Sequence, residues 1–199
     1  MADLYHKQAK KYAEGRPSYP EELFEFIASK TPNHELVWDV GTGSGQAAKS
    51  VLKKPHGVIA AWCYNIPEAN NDIPLVNEKF DAVLRQLYAE LRPYWGSGVK
   101  FVDDKYRGID FPFGPVGVGA DHTGPYEFTT EMVMDFEGFL TFVRSWSGYQ
   151  TAKDKGVELL RDDVVESFKN AWSEDGIGGD RKVFKIPIYL RIGRVGNLE

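Results

Sequence analysis

The sequence holds a single cysteine, Cys63, so one chain contains neither a disulfide nor a multi-thiolate zinc or iron–sulfur site. A reducing compartment suits such a chain. Long apolar runs are missing too. The longest, Val58 to Tyr64, falls far short of the roughly 20 residues of a membrane-spanning helix. Basic blocks are absent: 24 Lys and Arg are interspersed with 29 Asp and Glu, a net charge of −5. That balance argues against a nucleic-acid partner held by its phosphates and against a membrane surface. The opening MADLYHKQAKKYAEGRPSYP has no apolar signal core and carries Asp3 and Glu14, so a cytoplasmic protein is expected. His6, His34 and His56 share no ligand spacing, and no metal is expected.

What is present suffices for a core. With 42% hydrophobic and 14% aromatic residues among 199, residues 1–199 are expected to form one domain. Residues 3–14 read as weakly helical. Pro20, Glu21 and Glu22 then open a helix through Ser29 with an apolar stripe of Leu23, Phe24, Ile27 and Ala28. ELVWDV reads as a strand running into the turn GTGSG, 46–54 as a short helix, and VIAAWCY as a second, buried strand because its apolar run is continuous. From Glu78 to Tyr94, Phe80, Val83, Leu84, Leu87, Tyr88 and Leu91 recur at helical spacing, and Pro93 helps to stop that helix. A strand near Tyr126–Met134, helices near 136–149 and 161–172, and a final strand VFKIPIYLRIG complete the pattern. Pro187 inside that last strand calls for an edge position or a bulge. The stretches 111–125 and 173–180 read as loops.

The segment with chemical content is Val37-Trp38-Asp39-Val40-Gly41-Thr42-Gly43-Ser44-Gly45. Glycines after a strand let the backbone approach a ligand, and the following helix presents unpaired N–H groups, so a nucleotide-like guest is the natural one. Two cofactor classes compete with a turn that merely permits close packing. Gly43, Gly45 and Ala48 satisfy G-x-G-x-x-G/A, and Glu68 stands 20 residues after Ala48, near the usual place of a ribose acid in a dinucleotide (NAD) site. Asp39, two residues before the first glycine, points elsewhere.

The spacing D-x-G-x-G-x-G resembles the first motif of class I S-adenosylmethionine-dependent methyltransferases. AKKYAEGRPSYPEELFEFI, LKKPHGVIAAWCYN, FEGFLTFVRSWSGYQTAKDKG and VFKIPIYLRIGRV resemble the methyltransferases related to trans-aconitate methyltransferase, and closely the plant members of that group. The resemblance implies S-adenosyl-L-methionine as cofactor, its methionyl end held by Asp39, Gly41, Thr42, Gly43, Ser44 and Gly45. It also implies an α/β, Rossmann-like sheet of order 3-2-1-4-5-7-6. Residues 1–35 would be a helical cap, 36–64 the glycine-motif βαβ core, 65–125 a helical insert and loop, and 126–199 the C-terminal strands and helices.

One departure from that pattern is large. An ordinary member has roughly 70 residues between the glycine motif and the turn before the fifth strand, room for three βα steps. Here Gly45 and Pro55 are ten apart in sequence. The second to fourth strands, with the ribose and adenine contacts, are missing, as in an internally deleted isoform. A truncated class I methyltransferase sheet of about four strands is expected. The 17 residues from Gly41 to Gly57 are enough for a right-handed crossover that pairs the first strand with the fifth.

Methyl transfer from a sulfonium mainly requires alignment and exclusion of water, so the absence of a Ser/His/Asp set carries no information. A small-molecule acceptor is expected. If it is a carboxylate, as the resemblance suggests, it is already ionised and needs a cation rather than a base. Arg16 and Arg144 are candidate clamps, Arg144 reading more simply as a surface ion pair. Tyr12, Tyr19, Trp146 and Tyr149 are candidate walls for an acceptor pocket, although aromatics in helices usually belong to the core. His122 reads as a solvated loop residue in preference to a base. Three functions therefore compete: a methyltransferase of small molecules, a catalytically silent member of that family, and an NAD-binding module using Glu68.

Overall fold

The computed structural model describes residues 17–31, 57–71, 74–116, 121–173 and 181–196. The helices expected over 3–14 and 46–54 and the strand ELVWDV lie outside those residues, as does the expected pairing of that strand with VIAAWCY. The described elements are α1 (Glu21–Lys30), β1 (Val58–Tyr64), β2 (Glu68–Ala69), α2 (Pro74–Leu91), a 3₁₀ turn (Arg92–Tyr94), α3 (Val99–Asp103), β3 (Tyr126–Asp135), α4 (Phe136–Arg144), α5 (Ser147–Asp154), α6 (Asp162–Ser173) and β4 (Arg181–Arg194).

β4 organises the sheet. β1 pairs with it antiparallel from Val58 opposite Arg194 to Tyr64 opposite Ile188. β2 continues the pairing with Glu68 opposite Lys185, and β3 also pairs with β4. The order β1–β4–β3 is that of the fifth, seventh and sixth strands in the expected methyltransferase sheet. Pro187 sits at a bulge: Tyr64 to Glu68 takes four residue steps against three from Ile188 to Lys185. A proline lacks the N–H that regular pairing demands, and here only its carbonyl is used, accepting from Asn65 N at 3.0 Å.

The chain divides into two compact units. The first includes Ile66–Val99 and Thr130–Ile186, and its core is helical. α2 buries Val76, Phe80, Leu84, Leu87 and Leu91, spaced three and four apart, so one face is apolar throughout. The helix begins at Pro74, four residues before the expected Glu78, because a proline in the first turn sacrifices no helical hydrogen bond. It ends at Leu91, and Pro93 falls in the 3₁₀ turn. The single helix expected over 136–149 is two. Ser145 Oγ donates back to Phe142 O at 2.6 Å, and Trp146 leaves the helical region with ψ 136° before α5 starts. Aromatic rings fill the centre, with Phe80 within 4.9 to 5.8 Å of Phe139, Phe168, Phe184 and Trp172 by ring centroids.

The second unit includes Tyr19–Asn65, Lys100–Thr129 and Pro187–Glu199. Ile188, Leu190 and Ile192 alternate along β4 and meet Leu23 of α1 in a separate core. The stripe of α1 differs from the expected one. Leu23, Phe26 and Ile27 face the core, whereas Phe24 is 49% exposed and Ala28 is exposed. A step of 100° per residue puts position 24 well off the face shared by 23, 26 and 27. β1 also departs from expectation: only Cys63 is buried and the other six residues are half-buried. The fully buried strand is β4.

Candidate functional site

The residues expected to hold the cofactor, Asp39, Gly41, Thr42, Gly43, Ser44 and Gly45, lie outside the described residues, as do Tyr12 and Arg16. The other expected residues are separated between the units. Trp146 and Tyr149 belong to the first. Trp146 is 3% exposed, its ring packed among Phe142, Tyr88 and Trp95. Tyr149 is buried and donates its hydroxyl to Glu158 Oε1 at 2.6 Å. The same oxygen accepts from Leu160 N at 2.8 Å. Burial opposes the charge of Glu158, but those two donors, with Lys153 and Arg144, outweigh it and hold the carboxyl below its ordinary range. Burial, then the bond to Glu158, pushes the Tyr149 phenol up to about 12. Arg144 is exposed beside Glu137, 3.9 Å away, as a surface pair.

Glu68 is exposed and lies on the two-residue strand β2, where a loop was expected. Near it the first unit has a small recess between Asn71, Asn77, Phe80, Trp172, Lys182 and Phe184. Its free volume, about 10 Å³, is that of one water, so these residues do not fit a nucleotide cofactor. Lys182 is 6% exposed there, and burial lowers the proton affinity of its amine.

Tyr19 and His122 lie in the second unit. Tyr19 stands edge-on to Trp62 at 5.6 Å and to Phe24 at 6.4 Å, an aromatic trio open on its Phe24 side. His122 is exposed, and its Nδ1 accepts from Gly124 N at 3.0 Å, as a loop residue does. On the other face of β4, Arg191 is buried, and Cys63 and Tyr106 share a hydrogen bond nearby. Burial, partly offset by Tyr106, pushes the Cys63 thiol up to about 12, which keeps it protonated and unreactive at neutral pH. Arg191 was missed in the sequence. Its signal was a lone charge inside the apolar run IPIYLRIG, where a strand residue on a covered face needs partners.

Among the described residues, no group of three or more His, Cys, Asp or Glu could hold a metal ion, and no helix is long and apolar enough to cross a membrane. No protein-family model matches the chain, and no curated protein matches it. A solved structure from Anaeromyxobacter dehalogenans described as "a Putative Type II Methyltransferase" is similar, with a TM-score of 0.53 and 23% identity. The similarity covers 72% of this chain and 54% of that one, so the chain spans about half the length of that protein. The fold is thus mixed α/β and methyltransferase-like.

Proposed function

We infer that the chain is built for methyl transfer from S-adenosylmethionine to a small-molecule acceptor, a carboxylate in the reading the family resemblance favours. The strand order β1–β4–β3 carries this reading, because it reproduces the 5-7-6 end of a methyltransferase sheet in a chain that also contains Asp39-Val40-Gly41-Thr42-Gly43-Ser44-Gly45. The likeness to the Anaeromyxobacter structure supports it at the level of fold. Asp39 is assigned to the cofactor's ammonium, and Gly41 to Gly45 to main-chain contact with its methionyl end. Bound there, the cofactor supplies an electrophilic methyl group. Tyr12, Arg16, Tyr19 and Trp146 are assigned to the acceptor. Tyr19 is the described member whose surroundings suit the role, since Trp146 is enclosed by its own core. A carboxylate acceptor is ionised near neutrality, so these residues need only orient it and exclude water.

A second reading, a catalytically silent member of the same family, is favoured by the ten-residue spacing between Gly45 and Pro55, which leaves no second strand for a ribose acid. Calorimetric titration of a sample with a cooperative melting curve separates the two. Saturable binding of S-adenosylhomocysteine that Asp39→Ala abolishes supports methyl transfer. A folded protein that binds neither it nor S-adenosylmethionine is the silent member. NAD binding lost in Glu68→Ala would instead reveal a dinucleotide module.

A further inference from the structure

The face of β4 opposite the second core carries Tyr189, Arg191 and Gly193, and separate pieces of chain converge on it within the second unit. Arg191 is 8% exposed, and none of its bonds is to a carboxylate. Its Nε donates to Thr123 O at 3.2 Å, Nη2 to Thr123 Oγ1 at 2.8 Å and Nη1 to Tyr106 O at 3.0 Å. Its guanidinium carbon lies 4.9 Å from the ring centroid of Phe111. One fork thus holds Thr123 and both parts of the segment that runs from Tyr106 to Phe111. Tyr106 is also held by its side chain, hydrogen-bonded to Cys63 of β1. Lys105 places its ammonium 5.1 Å from the ring centroid of Tyr189.

These contacts hold a turn that the chain would not choose. Lys105 and Tyr106 have φ of 56° and 60°, two bulky residues in succession in the left-handed region. L side chains avoid that region because Cβ crowds the following carbonyl oxygen. The far end of the segment is tied differently: Gly114 and Arg194 exchange main-chain bonds, Arg194 N to Gly114 O at 2.7 Å and Gly114 N to Arg194 O at 3.2 Å. The β1–β4 ladder runs from Val58 to Tyr64 without using any residue of 104–113.

We propose that residues 104–113 are a strap latched over β4 by the Arg191 fork, hinged at Gly114 and strained at Lys105 and Tyr106, which opens as a unit and uncovers Cys63 while the sheet stays paired. The strain favours opening, and the guanidinium bonds and the Tyr106–Cys63 contact oppose it. Because the ladder is independent of the strap, opening requires no loss of strand pairing.

Cys63 is the sole cysteine and therefore reports the opening directly. Its rate of labelling by dithionitrobenzoate is measured on the full chain in native buffer and in low denaturant. A strap predicts a rate that hardly depends on denaturant, since a local opening exposes little surface. Arg191→Lys keeps the charge but loses the fork, and labelling accelerates by about tenfold. Lys105→Gly removes the penalty at φ 56° and slows labelling by about tenfold. Hydrogen exchange of the 104–113 amides rises in Arg191→Lys while that of β1 does not. Labelling that tracks global unfolding, or an unchanged rate in Lys105→Gly, overturns the strap. Should Arg191→Lys fail to fold, the unsubstituted chain and Lys105→Gly decide the matter by themselves.

Discussion

The ring of Phe80 stands at 69° to that of Phe139, with centroids 4.9 Å apart, and this pair is the hub of the first core. Both side chains are almost wholly buried, at 3% and 0% exposure, and Phe168, Phe184 and Trp172 surround them. Phe80→Ala would remove one ring from contact with four others, leaving a void that rigid neighbours cannot collapse. The expected loss is about 3 to 5 kcal/mol, read from the urea midpoint at unchanged slope.

Gly148 is fixed by Trp95 rather than by backbone conformation. A Cβ there would lie 2.7 Å from Cε2 of the indole, and the indole is itself packed against Tyr88 and Trp146. Gly148→Ala should therefore destabilise by about 1 to 3 kcal/mol, although alanine is the better helix former. Thermal melts of the two proteins test this, and a gain in stability would contradict it.

Asp135 ends β3 and starts α4. Its Oδ1 accepts from Gly138 N at 2.7 Å, satisfying an amide that the first helical turn leaves unpaired. Asp135→Ala is expected to lose about 1 kcal/mol, and Asp135→Asn to lose less, because the amide oxygen can accept the same bond. Denaturant titration of the three proteins gives that ranking.

The Tyr149–Glu158 bond makes stability depend on acid. The folded carboxyl titrates below its unfolded value, so the unfolded chain takes up the proton first. Its contribution is complete above the ordinary glutamate range near ~4.3 and is lost as pH falls through the lower folded value. Glu158 is exposed, so the contribution is small, on the order of a few tenths of a kcal/mol to 1 kcal/mol. Stability measured between neutral pH and the acid limb should fall less steeply in Glu158→Gln. Tyr149→Phe should lose about 1 kcal/mol at neutral pH, where the phenol is protonated and donating.

Much of the fold was readable along the chain. The spacing of Phe80, Leu84, Leu87 and Leu91 announced α2, and the residues of β3, α6 and β4 fell close to their expected ranges. Pro187 marked a bulge because its missing N–H is a local, covalent fact. Of the expected site, Tyr19, Trp146, Arg144, Tyr149, His122 and Glu68 fall within the described residues, and Trp146 and Tyr149 prove to be packed in a core. A ring on a helix carries no mark telling a pocket wall from a core residue until its neighbours are known.

Periodicity, proline and glycine chemistry, and the order of elements are local properties, and the amino-acid string alone settled them: helices, strands, a bulge and a methyltransferase-like arrangement. Tertiary packing decided what depends on partners distant in sequence. It chose Leu23, Phe26 and Ile27 over Phe24 as the buried face of α1, broke the helix at Ser145 and Trp146, and surrounded Arg191 with Thr123 and Tyr106, 68 and 85 residues away. The physical reason is common to all three. Burial and hydrogen-bond satisfaction are sums over spatial neighbours, and a linear pattern specifies those neighbours only through the fold it produces.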